Sequence, residues 1–374
     1  MIEAVKFNTR KNNSIPLLNK DVEVIGNFFD VVPDGTIFSK EGLPMFVVRM
    51  KTSGLMYLAE HYKNKYNINI QVLEFQSNQS EFQMNSYDAM ALYNKLNEKY
   101  FLSIFNSPTD VTQGFIITLT NKDRRLMHAI PIVCGKEKNE CFALILDPFF
   151  GDHSSPNIYS SAIIAAKFFN EKFNIKANYN VNLYCHNTKL QADHHSCGIF
   201  AIDAIKNSLI KNKQGISRML KEYQDIFINL DPFQNINKMH IRFFNVHPNV
   251  LKLSQFTESL KSDTIISQDS PISLNKFYTN NKIKIKYKKS IEAYNPDSNF
   301  ITLNQRTEGV EIKEINSKLI LKGHEYAKLI LSANPDIAIS NQYNPNYWIK
   351  IINNEKSDKL NIIQMIRKMR KQIH

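Results

Sequence analysis

Four residues of this 374-residue chain have the types and the order that nucleophilic catalysis by a thiol needs: His128, Asp147, Gln191 and Cys197. A free thiol titrates near about 8.5 and is mostly protonated at neutral pH, so a nucleophilic cysteine requires a base or a positive field beside it. His128 can take the Cys197 proton. A carboxylate such as Asp147 on the far ring nitrogen would fix the tautomer and stabilise the imidazolium. Cys197 stands where a helix is predicted to open, and the positive end of a helix favours a thiolate. Gln191, six positions upstream, could donate its side-chain amide to a developing oxyanion together with the Cys197 backbone N–H.

Each residue taken alone also has an ordinary structural reading. A buried cysteine at the start of an apolar helix behaves as a small hydrophobe. A histidine on a strand is commonly a satisfied core or surface group, Asp147 before Pro148 can start a turn, and Gln191 can be a plain loop residue. His194 and His195, in Gln191-Ala-Asp-His-His-Ser-Cys197-Gly-Ile-Phe, compete with His128 as the base. His128 is preferred because its spacing to Asp147 fits two strands joined by a turn. The ordered set of four is far more specific than any member.

The elements that must position these residues follow from hydrophobic period. Phe115-Ile-Ile-Thr-Leu-Thr, Met127–Cys134 and Cys141–Leu146 read as successive strands, with the polar Gly135–Asn139 turning between the last two. Val181–Cys185 is a further strand. Residues 53–66, residues 86–99 (capped by Ser86 or Asp88) and Ala162–Lys172 are spaced as helices. From Cys197, the positions of Ile199, Phe200, Ala204, Ile205 and Leu209 fit a helix with one buried face. Strands flanked by helices predict a mixed α/β or α+β layer of about one domain.

Composition bounds what else the chain can be. Hydrophobic residues make up 43%, enough for a core, and no apolar run approaches the ~20 residues that span a bilayer. Four scattered cysteines exclude a disulfide framework as the organising principle. The net charge of +12 is unevenly spread: residues 1–233 carry 25 basic and 23 acidic residues, and residues 234–374 carry 22 and 12. Such asymmetry points to an anionic partner for the second part. That part also contains Lys282-Ile-Lys-Ile-Lys-Tyr-Lys-Lys, with the period of a strand with one cationic face, and Asn361–Ile373, a basic amphipathic helix able to lie on a partner or make peripheral contact with a membrane. No helix-turn-helix, RNA-recognition or zinc-finger signature accompanies the charge, so nucleic acid is not the expected partner. Cys185, His186, His194, His195 and Cys197 supply donors for zinc, but their spacing matches no common ligand pattern and no metal is expected. The start, Met1-Ile-Glu-Ala-Val-Lys, has no apolar core of a secretory signal, and residues 7–20 are polar, like a flexible leader.

The His, acidic, Gln, Cys order, with Cys197-Gly-Ile-Phe opening a helix, resembles the adenovirus-protease/Ulp1-like cysteine peptidase clan. Within it the chain is most similar to the YopJ family of bacterial effector acetyltransferases. The similarity rests on His128 through Leu144-Ile-Leu-Asp147-Pro148, on Gln191 through Cys197-Gly-Ile-Phe-Ala, and on a weaker C-terminal echo. That echo is Asp231-Pro-Phe with Phe243-Phe-Asn-Val-His247, and Ile315-Asn-Ser-Lys-Leu running into a helix near Glu325–Leu331. The resemblance as a whole covers about residues 45–335. Two departures stand out: many of these acetyltransferases carry Glu where this chain has Asp147, and Ala-Asp-His-His replaces a small, Ser-rich segment.

The resemblance implies an Ulp1-like core with a mixed sheet flanked by helices, and a basic regulatory region made from flanking, mainly C-terminal, segments. The corresponding division is a leader or secretion segment at 1–40, a catalytic domain at 41–232 and a regulatory domain at 233–374. It implies that Cys197 accepts an acetyl group from acetyl-CoA and passes it to Ser, Thr or Lys of host signalling proteins, immune-signalling kinases above all, after delivery by type III secretion into the host cytoplasm. It further implies activation by inositol hexakisphosphate. Arg49, Lys51, Lys238, Arg242, His247, Lys322 and Lys328 are, by position, the expected ligands of that polyphosphate. The alternative is a cysteine protease acting on ubiquitin or a ubiquitin-like modifier, which would use the same residues through the same thioester chemistry.

Overall fold

A computed structural model describes residues 24–39, 44–76, 98–121, 126–148, 165, 168–186, 190–193, 195–211, 241–244, 250, 253–255, 300–306, 309–315 and 318–333. Within these, eleven strands are present: β1 (Val24–Ile25), β2 (Phe29–Ser39), β3 (Pro44–Met50), β4 (Ile70–Gln76), β5 (Val111–Thr120), β6 (Leu126–Glu137), β7 (Glu140–Ile145), β8 (Val181–His186), β9 (Ile241–Phe244), β10 (Phe300–Arg306) and β11 (Gly309–Ile315). The α-helices are α1 (Thr52–Tyr66), α2 (Glu98–Phe105), α3 (Cys197–Lys211) and α4 (Lys318–Ala333). The region expected as a helix over Ala162–Lys172 is helical at Ala165 and Phe168–Phe169, then continues as a π-helical stretch over Asn170–Lys176. That wider turn lets Phe168, Phe169 and Phe173 all meet Phe101 of α2, with ring centroids 5.0–5.9 Å apart. A strict 3.6-residue period does not anticipate this packing.

The central layer is a six-stranded mixed sheet in the order β4-β5-β6-β7-β8-β9. β4 runs parallel to β5, β6 is antiparallel to both β5 and β7, and β7, β8 and β9 run parallel. Both faces of β5 are covered, which explains its nearly unbroken apolar run. On one face Phe115, Ile117, Ile130 and Ile132 meet α2 and the π-helical stretch. On the other, Ile116, Ala129, Val133 and Leu144 share a core with α1, α3 and α4. The α+β architecture expected from the sequence is therefore present as a mixed sheet between helical layers.

A second sheet joins distant parts of the chain. β2 pairs with β1 and β3, and its far end, Ile37–Ser39, pairs with Thr302–Phe300 of β10, which in turn pairs with β11. Residues 24–25 and 29–39 thus belong to this sheet. The helix α4 packs on the same core: Leu319, Tyr326, Ala327 and Ile330 join Leu55 and Leu58 of α1 and Ile199 and Phe200 of α3. A Cβ added at Gly323 would stand 3.2 Å from Val48 Cβ and 3.5 Å from Ile199 Cγ1, so α4 lies close on both β3 and α3. Most of the 86–99 helix, the basic 282–289 strand and the 361–373 helix fall outside the described residues. Among the described residues, no helix is long and apolar enough to cross a membrane.

Candidate active site

His128 lies near the start of β6, directly after an irregularity in its pairing with β5. Leu119 faces His128 while Thr120 faces Leu126, leaving Met127 as the extra residue of a bulge. Bulges bend a strand and re-aim the side chains beside them, and this one sits where the strand must present an imidazole. Asp147 follows two residues after β7 ends, and the backbone there stays tied to β6 by the Leu146 N–H donating to the Pro131 carbonyl at 2.9 Å. The result is a contact across the end of the β6–β7 pair: His128 Nε2–H donates to Asp147 at 3.0 and 3.1 Å to its two carboxylate oxygens.

Cys197 is the first residue of α3 and is buried. The glycine after it has a packing reason. A Cβ at Gly198 would stand 3.1 Å from Leu126 Cδ2 and 3.3 Å from Met50 Cβ, so the helix start is seated tightly between the beginning of β6 and the end of β3. This seating places Cys197 beside His128, close enough to act on the charge of its ring. Nε2 is the ring nitrogen engaged by Asp147. Burial favours a neutral His128 ring, but the charge and hydrogen bonds of Asp147, with Cys197 alongside, outweigh burial and push the pKa up to about 10. The proton is therefore held at His128 across the neutral range.

The other three cysteines are differently placed. Burial pushes the Cys134 and Cys141 thiols up, and burial followed by the nearby Asp147 charge does the same to Cys185. Protonated thiols are inert as nucleophiles. All four cysteines are free of disulfides. Among the described residues, no group of three or more His, Cys, Asp and Glu side chains comes together as a metal site.

Gln191 is fully buried at the same loop, but its amide is already engaged. Its Nε2 donates to the Asp193 carbonyl at 2.8 Å and to Asp193 Oδ1 at 3.2 Å, while its Oε1 has no hydrogen-bond partner among the described residues. Asp193 and its distant partner Gln255 are site residues that the motif order does not single out. An Asp that accepts the N–H groups two and three positions on makes an Asx turn, a local signal that sequence could have offered. Nothing local marks Gln255. His195 donates its backbone N–H to Asp193 at 2.8 Å, and His194 lies outside the described residues.

The expected polyphosphate ligands sit on several separate elements. Arg49 and Lys51 converge on the buried Asp30 carboxylate, at 2.9 and 3.0 Å, and Lys51 also donates to the Gly26 carbonyl at 2.7 Å. Lys322 pairs with Glu325 and stacks 5.2 Å from the Tyr326 ring centroid. Lys328 is exposed on the same helix, and Arg242 lies in β9. Lys238 and His247 fall outside the described residues.

No family model matches the chain, and no curated protein sequence matches it. Among solved structures, HopZ1a in complex with IP6 and CoA is similar over 75% of this chain and 82% of its own, at 9% identity and a TM-score of 0.41. AvrA with IP6 and CoA is similar over 63% and 86%, at 12% identity and a TM-score of 0.34. A de-sumoylating protease is similar over 80% and 95%, at 10% identity and a TM-score of 0.27.

Proposed function

We propose that the chain is an acyltransferase that carries an acetyl group on Cys197 from acetyl-CoA to a hydroxyl or amine of a protein. The observation that carries this reading is one imidazole, His128, hydrogen-bonded to a carboxylate and set beside a thiol that opens a helix. In the first half-reaction Cys197 Sγ, its proton held by His128, attacks the acetyl carbonyl. The C–S bond to CoA then breaks, and the leaving sulfur takes the proton from His128. In the second half, the acceptor O–H or N–H attacks the Cys197 thioester and gives its proton to the neutral His128. Cys197 leaves as thiolate, which restores the starting pair. Asp147 keeps the ring oriented with Nε2–H toward itself throughout.

The oxyanion of each tetrahedral step would be met by the Cys197 backbone N–H and by Gln191. For Gln191 to donate, its Nε2 must give up one of its two bonds to Asp193, the longer one to Oδ1 being the weaker. Inositol hexakisphosphate as activator is supported by the basic excess after residue 233 and by the motif resemblance. Arg49 and Lys51 would bring a net positive charge to it, since two cations share the one Asp30 carboxylate. Lys322 and Lys328 would add to it from α4. Delivery into a host cell and action on immune-signalling kinases rest on that resemblance.

Incubating the purified full chain with radiolabelled acetyl-CoA, with and without inositol hexakisphosphate, tests the reading. The expected result is label on Cys197 that passes to a protein acceptor and increases with the polyphosphate. No label under either condition, together with cleavage of a ubiquitin-like probe, would overturn it in favour of a protease.

A further inference from the structure

We infer that Asp193 and Gln255 are positioning residues for the nucleophile, a buried clamp that holds the turn before α3 so that Cys197 faces His128. The inference rests on the reading of Cys197 as the nucleophile. The Asp193 carboxylate collects donors from both sides of the turn. Its Oδ1 accepts the N–H groups of His195 at 2.8 Å and Ser196 at 2.6 Å, together with Gln191 Nε2. Its Oδ2 accepts Gln255 Nε2. The other end of the Gln255 carboxamide holds the turn's beginning: Oε1 accepts the N–H of Ala192 at 2.7 Å and of Asp193 at 3.1 Å. Gln255 also donates its own backbone N–H to the Leu190 carbonyl at 2.8 Å. Both side chains are fully buried.

Several backbone N–H groups that would otherwise be orphaned ahead of α3 are thus satisfied by two side chains, one of them 62 positions away. The geometry of Gln191 depends on the same carboxylate. Gln255 is itself anchored, because Val250 and Leu253 are buried in the core shared by α1, α3 and α4. A carboxamide fits here and a carboxylate does not: Gln255 must accept at one end and donate to Asp193 at the other. This two-ended demand separates a positioning role from mere space filling.

The test uses the full chain and the alkylation rate of Cys197 by iodoacetamide, followed by mass spectrometry, alongside the kcat and KM of acetyl transfer. Gln255→Glu keeps the acceptors for Ala192 and Asp193 but sets a second carboxylate against Asp193 Oδ2. Gln255→Leu removes both ends. Each is expected to slow Cys197 alkylation and lower kcat by about 10- to 100-fold, with the KM for acetyl-CoA unchanged, at temperatures where circular dichroism shows a folded chain. If Gln255→Leu does not fold, Gln255→Glu decides. Wild-type alkylation rates in a folded Gln255→Glu chain would overturn the proposal. Alkylation needs no acyl donor, so a wild-type chain that reacts with iodoacetamide but takes no label from acetyl-CoA refutes the acetyl-transfer reading and leaves this test intact.

Discussion

Replacing Asp147 by Asn removes the charge that holds the proton on His128 while leaving a side chain of the same shape. With the carboxylate oxygen 3.0 Å from Nε2, an effective dielectric of about 20 gives an attraction of about 5.5 kcal/mol. At about 1.4 kcal/mol per pH unit, losing it lowers the His128 pKa by up to about 4 units from its present value of about 10. Burial, which already opposes the charged ring, then meets much less opposition, so the midpoint should fall toward its ordinary value of 6.5. The raised pKa also makes a stability statement. Protonated His128 stabilises the fold fully below pH 6.5, and that contribution is lost as pH rises through about 10. The Asn variant should therefore be less stable than wild type near neutrality and approach it above pH 10. Turnover should fall by about 10³- to 10⁴-fold, because an amide can also hold the wrong tautomer. The measurement is a ¹³C-histidine NMR titration of both chains, with His128 assigned by a His128→Gln sample. A midpoint that stays where it was after Asp147→Asn would refute the reasoning.

Cys197→Ala should abolish acetyl transfer while circular dichroism and melting temperature change little, since a small buried group is replaced by one of similar size; retained activity would remove Cys197 from the mechanism. Gly114→Ala puts a Cβ 2.3 Å from Ile205 Cγ2 on α3; overpacking of about 1–3 kcal/mol should lower the melting temperature and slow Cys197 alkylation as α3 is displaced. Tyr326→Phe removes the 2.6 Å bond to Asp203 and leaves the Tyr62 hydroxyl without its acceptor, at about 2 kcal/mol by urea denaturation. Burial opposes ionisation of Asp203, but Lys206 and the Tyr326 hydrogen bond hold its pKa below 3.8. That stability is present above pH 3.8 and is lost as pH falls through the lower folded value, so the Tyr326→Phe penalty should shrink on acidification. Charge reversal of Lys322 and Lys328 together should weaken inositol hexakisphosphate binding in calorimetry, and an unchanged affinity would remove them from the ligand set.

The Tyr62–Tyr326–Asp203 chain shows where local reading stops. Tyr62 of α1 donates to Tyr326 of α4 at 2.9 Å across 264 positions, and Tyr326 donates to Asp203 of α3. Lys206 pairs with the same carboxylate and lies 5.3 Å from the Tyr62 ring centroid. The charge split at residue 233 marks the last third of the chain as basic, yet α4 from that third is packed against the helix that carries Cys197. Net charge reports partners in solution, not which buried face a helix covers.

Residue type and spacing were enough to find the elements: a cysteine at a helix start, a histidine on one strand and an aspartate just past the end of the next, and the apolar runs that make β5 to β8. These are local signals, because period and residue type act within a few positions. The three-dimensional packing supplied the rest: that Nε2 of His128 meets Asp147, that Gln191 is engaged by Asp193, that Gln255 closes the turn before Cys197, and that residues 37–39 pair with 300–302. Most of those contacts join positions tens to hundreds of residues apart. They are selected by the need to satisfy every buried polar group in a close-packed core, and no local pattern of residues carries that information.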